Sequence, residues 1–238
     1  MTYSHACIQL TDVAFRWPNS KETLIDVPSL KIHAGSSLFI HGASGSGKST
    51  LLNLITGVLA PNQGSINILD NELNKQSSKW RDQFRADHIG IIFQQFNLIP
   101  YLSVIDNISL PCMFSRRRLA RVEIDHETIL EQAHRLLEGL KLDAKEISTR
   151  NVTELSTGQQ QRIAVARALI GSPEIIIADE PTSSLDADAT NSFIDLLFEQ
   201  VENTKSTLVF VSHNKSLNKH FDQSISFNEL NLTSAVCN

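Results

Sequence analysis

Gly42-Ala43-Ser44-Gly45-Ser46-Gly47-Lys48-Ser49-Thr50 is the stretch that decides how this chain is read. From Gly42 to Ser49 it fits the pattern G-x-x-x-x-G-K-[ST]. Just before it, Ser37-Leu38-Phe39-Ile40-His41 reads as a short buried strand, and just after it Leu51-Leu52-Asn53-Leu54-Ile55 opens an apolar helical stretch. A strand, a glycine-rich turn and a helix N-terminus together make an anion site, because backbone N–H groups and the positive end of the helix dipole converge there. Gly42, Gly45 and Gly47 let the backbone curl with its N–H groups pointing inward. Lys48 supplies a charge for the outer phosphates of a nucleoside triphosphate, and the Ser49 hydroxyl can ligate Mg²⁺.

Size and composition set the frame. The 238 residues are 41% apolar, enough for a full core in one α/β domain or one domain with a helical insert. A net charge of -5 and a pI of about 5.9 argue against a broad nucleic-acid footprint. The one basic cluster, Arg116-Arg117-Arg118 with Arg121, reads first as a solvated helix face or turn; contact with lipid headgroups or an acidic partner is the alternative. Cys7, Cys112 and Cys237 are odd in number and share no close spacing, so they suggest neither a zinc site nor a disulfide framework. The N-terminal residues lack the pattern of a signal peptide, and no apolar run approaches the ~20 residues of a membrane helix. The expectation is a soluble chain without direct membrane insertion.

Along the chain, Ile8–Trp17 and Leu24–Ile32 read as strands, the second interrupted by Pro28. Gly64–Leu69 resembles another, and Ile89–Phe93 reads as a short buried strand. From about Ser103 to Arg150 no convincing strand occurs; Glu127, Ile129, Leu130, Ala133, Leu136 and Leu137 follow helical spacing, with Asp125 as candidate N-cap. From Glu174 onward, strand Ile175–Asp179, helix Ala189–Val201 and strand Thr207–Ser212 restore an alternating pattern that argues for a parallel sheet covered on both faces.

Two further motifs carry chemistry. Glu174–Glu180 is an apolar strand ending in two carboxylates, and such strand ends face the ligand crevice of parallel sheets. Asp179 is placed to hold Mg²⁺ directly or through water, and Glu180 to polarise an attacking water. Leu155-Ser156-Thr157-Gly158-Gln159-Gln160-Gln161-Arg162 precedes the apolar helix Ile163–Leu169. Ser156 with Gln159 fits a capping box, and the same helix start can serve as a second anion site.

Together, the phosphate loop, the Leu-Ser-Thr-Gly-Gln-Gln-Gln-Arg signature, Asp179-Glu180 and Ser184-Leu185-Asp186 resemble the ATP-binding-cassette (ABC) ATPases, over most of the chain from Ile8 to about Phe227. The resemblance implies a single ABC domain with a P-loop core of mostly parallel sheet over about 1–95 and 172–238. It adds an N-terminal antiparallel β subdomain and an all-helical signature subdomain over about 96–171. It implies a head-to-tail pair of cassettes with ATP and Mg²⁺ between the phosphate loop of one and Ser156, Thr157, Gly158 and Gln159 of the other. Gln94 matches the glutamine that senses Mg²⁺ and the water, with Gln95 adjoining as the alternative. His213 matches the switch histidine at the γ-phosphate, and Asp186 the loop that communicates between the two sites. Trp17 matches the aromatic that stacks on adenine, with Phe15 the competing candidate. The signature departs from the usual Leu-Ser-Gly-Gly-Gln at Thr157, which is tolerable if Thr157 lies in the first helical turn.

Phe93-Gln94-Gln95-Phe96-Asn97-Leu98-Ile99-Pro100, with Leu102-Ser103-Val104 and Asn107, resembles the lipoprotein-release and macrolide-export branch. This implies a cytoplasmic ATPase subunit, peripheral on the inner face of the membrane through an integral-membrane permease. The competing expectation is a non-transport cassette that regulates cell-envelope or cell-division enzymes through a similar permease. The sequence leaves the cargo open.

Overall fold

The computed structural model describes residues 6–124, 126–183 and 185–235. The chain forms two compact units: the described residues up to Arg85 with those from Thr207, and the segment Ala86–Ser206.

The first unit opens with an antiparallel sheet. Strand β1 (Ala6–Phe15) pairs on one side with β2 (Ile25–His33) and on the other with β4 (Gln63–Ile68), which pairs with the short β5 (Asn71–Glu72). Ile8 and Leu10 alternate on the buried face, and after a shift at left-handed Asp12 (φ 50°) Val13 and Phe15 continue it, as a strand with one covered face requires. β2 runs unbroken through Pro28, which is exposed.

The same unit holds β3 (Ser37–His41), flanked by parallel strands β8 (Thr207–Ser212) and β9 (Gln223–Ser226). Its apolar contacts are aromatic: the Phe39 and Phe221 rings stack with centroids 5.0 Å apart, and Phe210 lies 5.3 Å from Phe221. Burying Phe39 and Phe210 completely contributes about 2–3 kcal/mol each. Helix α1 (Lys48–Ile55) follows β3, and α2 (Ser78–His88) begins in this unit. The sequence reading has no helix over α2 because Phe84 is its one buried side chain.

In the second unit, β6 (Ile89–Ile92) pairs in parallel with β7 (Ile175–Asp179). Between them run α3 (Val104–Phe114), α4 (Arg116–Ile124), α5 (Ile129–Gly139), the single turn α6 (Ala144–Ile147) and α7 (Thr157–Leu169). Helix α8 (Ala187–Thr204) follows β7, and a last turn, α9 (Phe227–Leu230), belongs to the first unit. The α/β class, with its parallel and antiparallel strands and helical insert, is as expected.

Two expectations are corrected. Asp125 lies outside the described residues, and the helix it was expected to cap begins at Ile129. The N-cap is Thr128, whose hydroxyl accepts from Glu131 N while the Glu131 carboxylate accepts from Thr128 N. That reciprocal pair satisfies two donors, the N–H groups of Thr128 and Glu131.

The arginine cluster is a solvated face only in part: Arg116 and Arg117 are exposed, but Arg118 is not. Arg118 is 2% exposed, and its guanidinium donates to the carbonyls of Ala86, Ile89, Ala168 and Ile170 at 2.7–3.2 Å. Burial pushes its pKa down to about 10, with Cys112 and Glu174 opposing, so it stays charged at neutral pH. Arg117 and Arg121 both pair with Glu174, which also bonds His88 at 3.0 Å. Helix α4 is thus bolted to the end of α2, the start of β6 and the end of α7.

Candidate nucleotide site

The phosphate loop is built from the end of β3 upward. β3 and β8 pair in parallel with His41 opposite Ser212, so Gly42 and His213 leave adjacent strands at the same level. Adjacent strands lie about 4.8 Å apart, so the two residues start as neighbours at one sheet edge. Gly47 is the N-cap of α1 with φ 108°, a conformation that excludes side chains, and no side chain caps the helix. The N–H groups that a capping side chain would have taken stay directed into the loop.

Lys48 is 5% exposed, and its ammonium folds back to donate to the carbonyls of Gly42 (3.0 Å) and Ala43 (2.7 Å). The charge therefore sits inside the loop. The Ser46 hydroxyl in the same loop is buried with no hydrogen-bond partner, an unsatisfied polar atom. Ser49 and Ser44 are exposed, and Thr50 is half-buried. Burial, reinforced by Lys215 and opposed by Glu229, holds the His41 pKa below its ordinary value, so this imidazole adds no charge at neutral pH. Trp17 follows β1 and is 45% exposed, edge-on to Phe15 at 5.0 Å. Phe15 is in the core at 5% exposure, which leaves Trp17 as the accessible ring of the pair.

In the second unit a parallel register does the corresponding work. Ile92 lies opposite Ala178, so Gln94 and Glu180 leave β6 and β7 at the same level, each two residues past the paired ends. Gln94 and Gln95 are both exposed. Asp179 closes β7, and Glu180 turns away from it with φ 46°, left-handed for a non-glycine residue that precedes Pro181. Such a backbone costs on the order of 1–2 kcal/mol and persists where surrounding contacts impose it. One is visible: Gln161, 1% exposed on α7, donates from Nε2 to Pro181 O at 2.7 Å.

The signature forms the start of α7. The Ser156 hydroxyl accepts from Gln159 N (3.3 Å), and Gln159 Oε1 accepts from Ser156 N (2.9 Å). This box uses the N–H groups of Ser156 and Gln159, leaving those of Thr157 and Gly158 as first-turn donors. Thr157 is exposed in that first turn, and a Cβ added at Gly158 would meet no heavy atom within 4 Å. Asp186 caps α8, its carboxylate accepting from Ala189 N at 2.8 Å; the adjoining Ser184 lies outside the described residues.

The structure thus groups Gly42–Thr50 with His213 in one unit, and Gln94 with Asp179 and Glu180 in the other. A sequence profile described as ABC transporter matches residues 25–183. The chain belongs to the ABC transporter family. Two relatives match along most of their length. An uncharacterised ABC transporter ATP-binding protein of Mycobacterium tuberculosis (strain H37Rv) is 35% identical over 231 residues, covering 96% of this chain and 90% of the relative. The lipoprotein-releasing system ATP-binding protein LolD of Buchnera aphidicola subsp. Schizaphis graminum is 37% identical, covering 87% of this chain and 86% of its own. Among solved structures, the dimeric post-hydrolysis state of the ATP-binding cassette MJ0796 of Methanocaldococcus jannaschii, bound to ADP and Pi, superposes with a TM-score of 0.77 at 31% identity and 95% coverage of both chains. The protein is an ATP-binding cassette ATPase. Among its described residues no helix is long and apolar enough to cross a membrane.

Sequence reasoning quoted Gln161 within the signature and ran the following helix through Arg167 without giving either a role. Their partners, Pro181 O for Gln161 and Phe96 O and Asn97 O for Arg167, lie 20 and about 70 positions away. The one local signal was a polar residue on a helix otherwise buried from Ile163 to Leu169.

Proposed function

We propose that two copies of this chain pair head to tail. ATP is held between the phosphate loop of one and the Ser156-led helix start of the other, and closure of the pair drives a separate integral-membrane permease. The observation that carries this reading is that one chain presents two anion-directed helix starts. At α1 no side chain caps the helix; at α7 the capping box leaves Thr157 N–H and Gly158 N–H unused. The dimeric state of the Methanocaldococcus cassette supports the pairing, and the lipoprotein-releasing relative supports work at the cell envelope, by export or mechanical transmission. The chain then acts as one ABC domain, peripheral on the inner face of the membrane through the permease.

In this reading Lys48 and the loop N–H groups bind the β- and γ-phosphates, and Trp17 stacks on adenine. Ser49, Gln94 and Asp179 are hard oxygen donors of the kind Mg²⁺ takes, and would hold it. The ion would neutralise charge that shifts between the phosphate oxygens. Glu180 orients the water in line, and His213 holds the γ-phosphate. Ser156, Thr157, Gly158 and Gln159 complete the site from the partner, and Asp186 lies on the connecting loop.

The test is Glu180→Gln. It keeps the size of the side chain and removes its ability to polarise water. Gel filtration with ATP should show a stable dimer, while wild type without nucleotide elutes as a monomer. A variant that binds ATP yet remains monomeric at saturation would contradict the proposal.

A further inference from the structure

The loop that carries Gln94 has an unusual backbone. Phe96 and Asn97 are consecutive left-handed residues, with φ 60° and 49°. Neither is glycine, and local bonds only partly account for them: Phe96 N donates to Phe93 O at 3.0 Å and Asn97 N to Gln95 O at 2.6 Å. Two side chains from elsewhere hold the segment. Asn107, fully buried on α3, accepts from Ile99 N and donates to the carbonyls of Ile99, Leu102 and Ser103, which fixes the far half of the loop. Arg167, in the last turn of α7, donates through Nη2 to Phe96 O (2.5 Å) and through Nη1 to Asn97 O (2.6 Å). Burial lowers the pKa of this guanidinium, which spends its two terminal nitrogens on successive carbonyls of the strained turn.

The helix that carries Arg167 starts at the signature. Thr157 and Arg167 stand ten residues apart on one helix, about 15 Å along its axis. The last turn of that helix is also keyed to β6. A Cβ at Gly90 would lie 2.2 Å from Ala168 O, so the strand and helix touch where only glycine fits. β6 leads directly to Gln94.

We infer that Arg167 is a positioning residue: its fork ties the backbone just after Gln94 to the signature helix, so that the placement of Gln94 follows the position of that helix. The arrangement matters chemically because the helix start faces nucleotide held by the partner protomer, whereas Gln94 serves the nucleotide of its own protomer. Arg167 gives those two events a direct mechanical link inside one chain. This inference rests on the proposed role of Gln94 and goes beyond it in naming the residue that governs its placement. A lysine does not reproduce the link: an ammonium can reach two successive carbonyls, as that of Lys48 does, but through a single nitrogen without the planar two-nitrogen fork that fixes their orientation.

The test is a double-mutant cycle on ATP turnover with Arg167→Lys, Arg167→Met and Gln94→Ala. The urea unfolding midpoint monitors the fold of the unit that carries Arg167, and ATP affinity without Mg²⁺, measured by equilibrium binding, monitors the phosphate loop in the other unit. Arg167→Lys and Arg167→Met should each lower kcat about tenfold or more with KM for ATP within about twofold of wild type. On the Gln94→Ala background they should lower it no further. Equal losses of kcat on both backgrounds would overturn the inference while leaving the role of Gln94 intact. If Gln94→Ala itself turns over like wild type, both the role of Gln94 and the inference fall. If both Arg167 variants keep wild-type kcat, the inference alone falls.

Discussion

Gln161 Nε2 donates to Pro181 O across 2.7 Å in a fully buried setting, joining the second turn of the signature helix to the residue after Glu180. Twenty residues separate the partners, and the bond holds the backbone that gives Glu180 its left-handed turn. The carboxylate proposed to orient water is therefore aimed in part by the helix proposed to close on a partner's nucleotide. Replacing Gln161 with Leu leaves Pro181 O without its donor in a buried place, a loss of about 1–3 kcal/mol. Urea unfolding should show that loss, and steady-state assays should show a lower kcat with ATP affinity retained. A variant as stable and as active as wild type would show that the bond does neither job.

Arg118 gives a purely structural prediction. Arg118→Met preserves much of the volume and removes donors from four carbonyls contributed by α2, β6 and the end of α7. Each abandoned carbonyl carries a desolvation cost, so the loss should reach about 3 kcal/mol or more. Arg117→Met, at a side chain 45% exposed, should cost less than about 1 kcal/mol. Denaturation midpoints of the two variants, measured side by side, check the contrast.

Glu174 makes stability depend on acid. Burial alone would raise its pKa, but hydrogen bonds from His88 and Arg117 and the charges of His88 and Arg121 outweigh burial and hold it at about 2, against an ordinary 4.5. A carboxyl depressed in the folded state stabilises fully above its unfolded pKa and loses that contribution as pH falls toward the folded value. The window is thus pH 4.5 down to about 2, and the contribution at stake is at most about 3 kcal/mol. Wild type should lose stability steeply across that window in urea titrations, and Glu174→Gln, already less stable at pH 7, should lose it less steeply.

How much of this was legible depended on how local the cause was. Strands Ile175–Asp179 and Thr207–Ser212 stand at the residues read from sequence, because each holds a continuous apolar run of four residues, Ile175–Ala178 and Leu208–Val211, between polar ends. The capping box at Ser156 was readable for the same reason, since both partners lie within three residues. Helix α2 and strand β9 were missed because their faces are largely polar: α2 buries Phe84 alone, and no residue of β9 is fully buried. The arginine cluster misled because the fate of Arg118 is set by carbonyls 29 to 52 positions away. Arg167 and Gln161 were hidden likewise, their work being defined by partners that only the folded chain brings near.

The most direct test of the head-to-tail ATP site is a disulfide crosslink between Ser44→Cys and Gly158→Cys. Ser44 is exposed, a Cβ at Gly158 has open space around it, the native Cys7 and Cys112 are buried, and Cys237, outside the described residues, is replaced by Ser in every variant. On a Glu180→Gln background, the double-cysteine chain should form a covalent two-chain species when ATP is added, and neither single cysteine should do so. If ATP binds and no crosslink between chains appears, the nucleotide is not sandwiched between the phosphate loop of one protomer and the signature helix of the other.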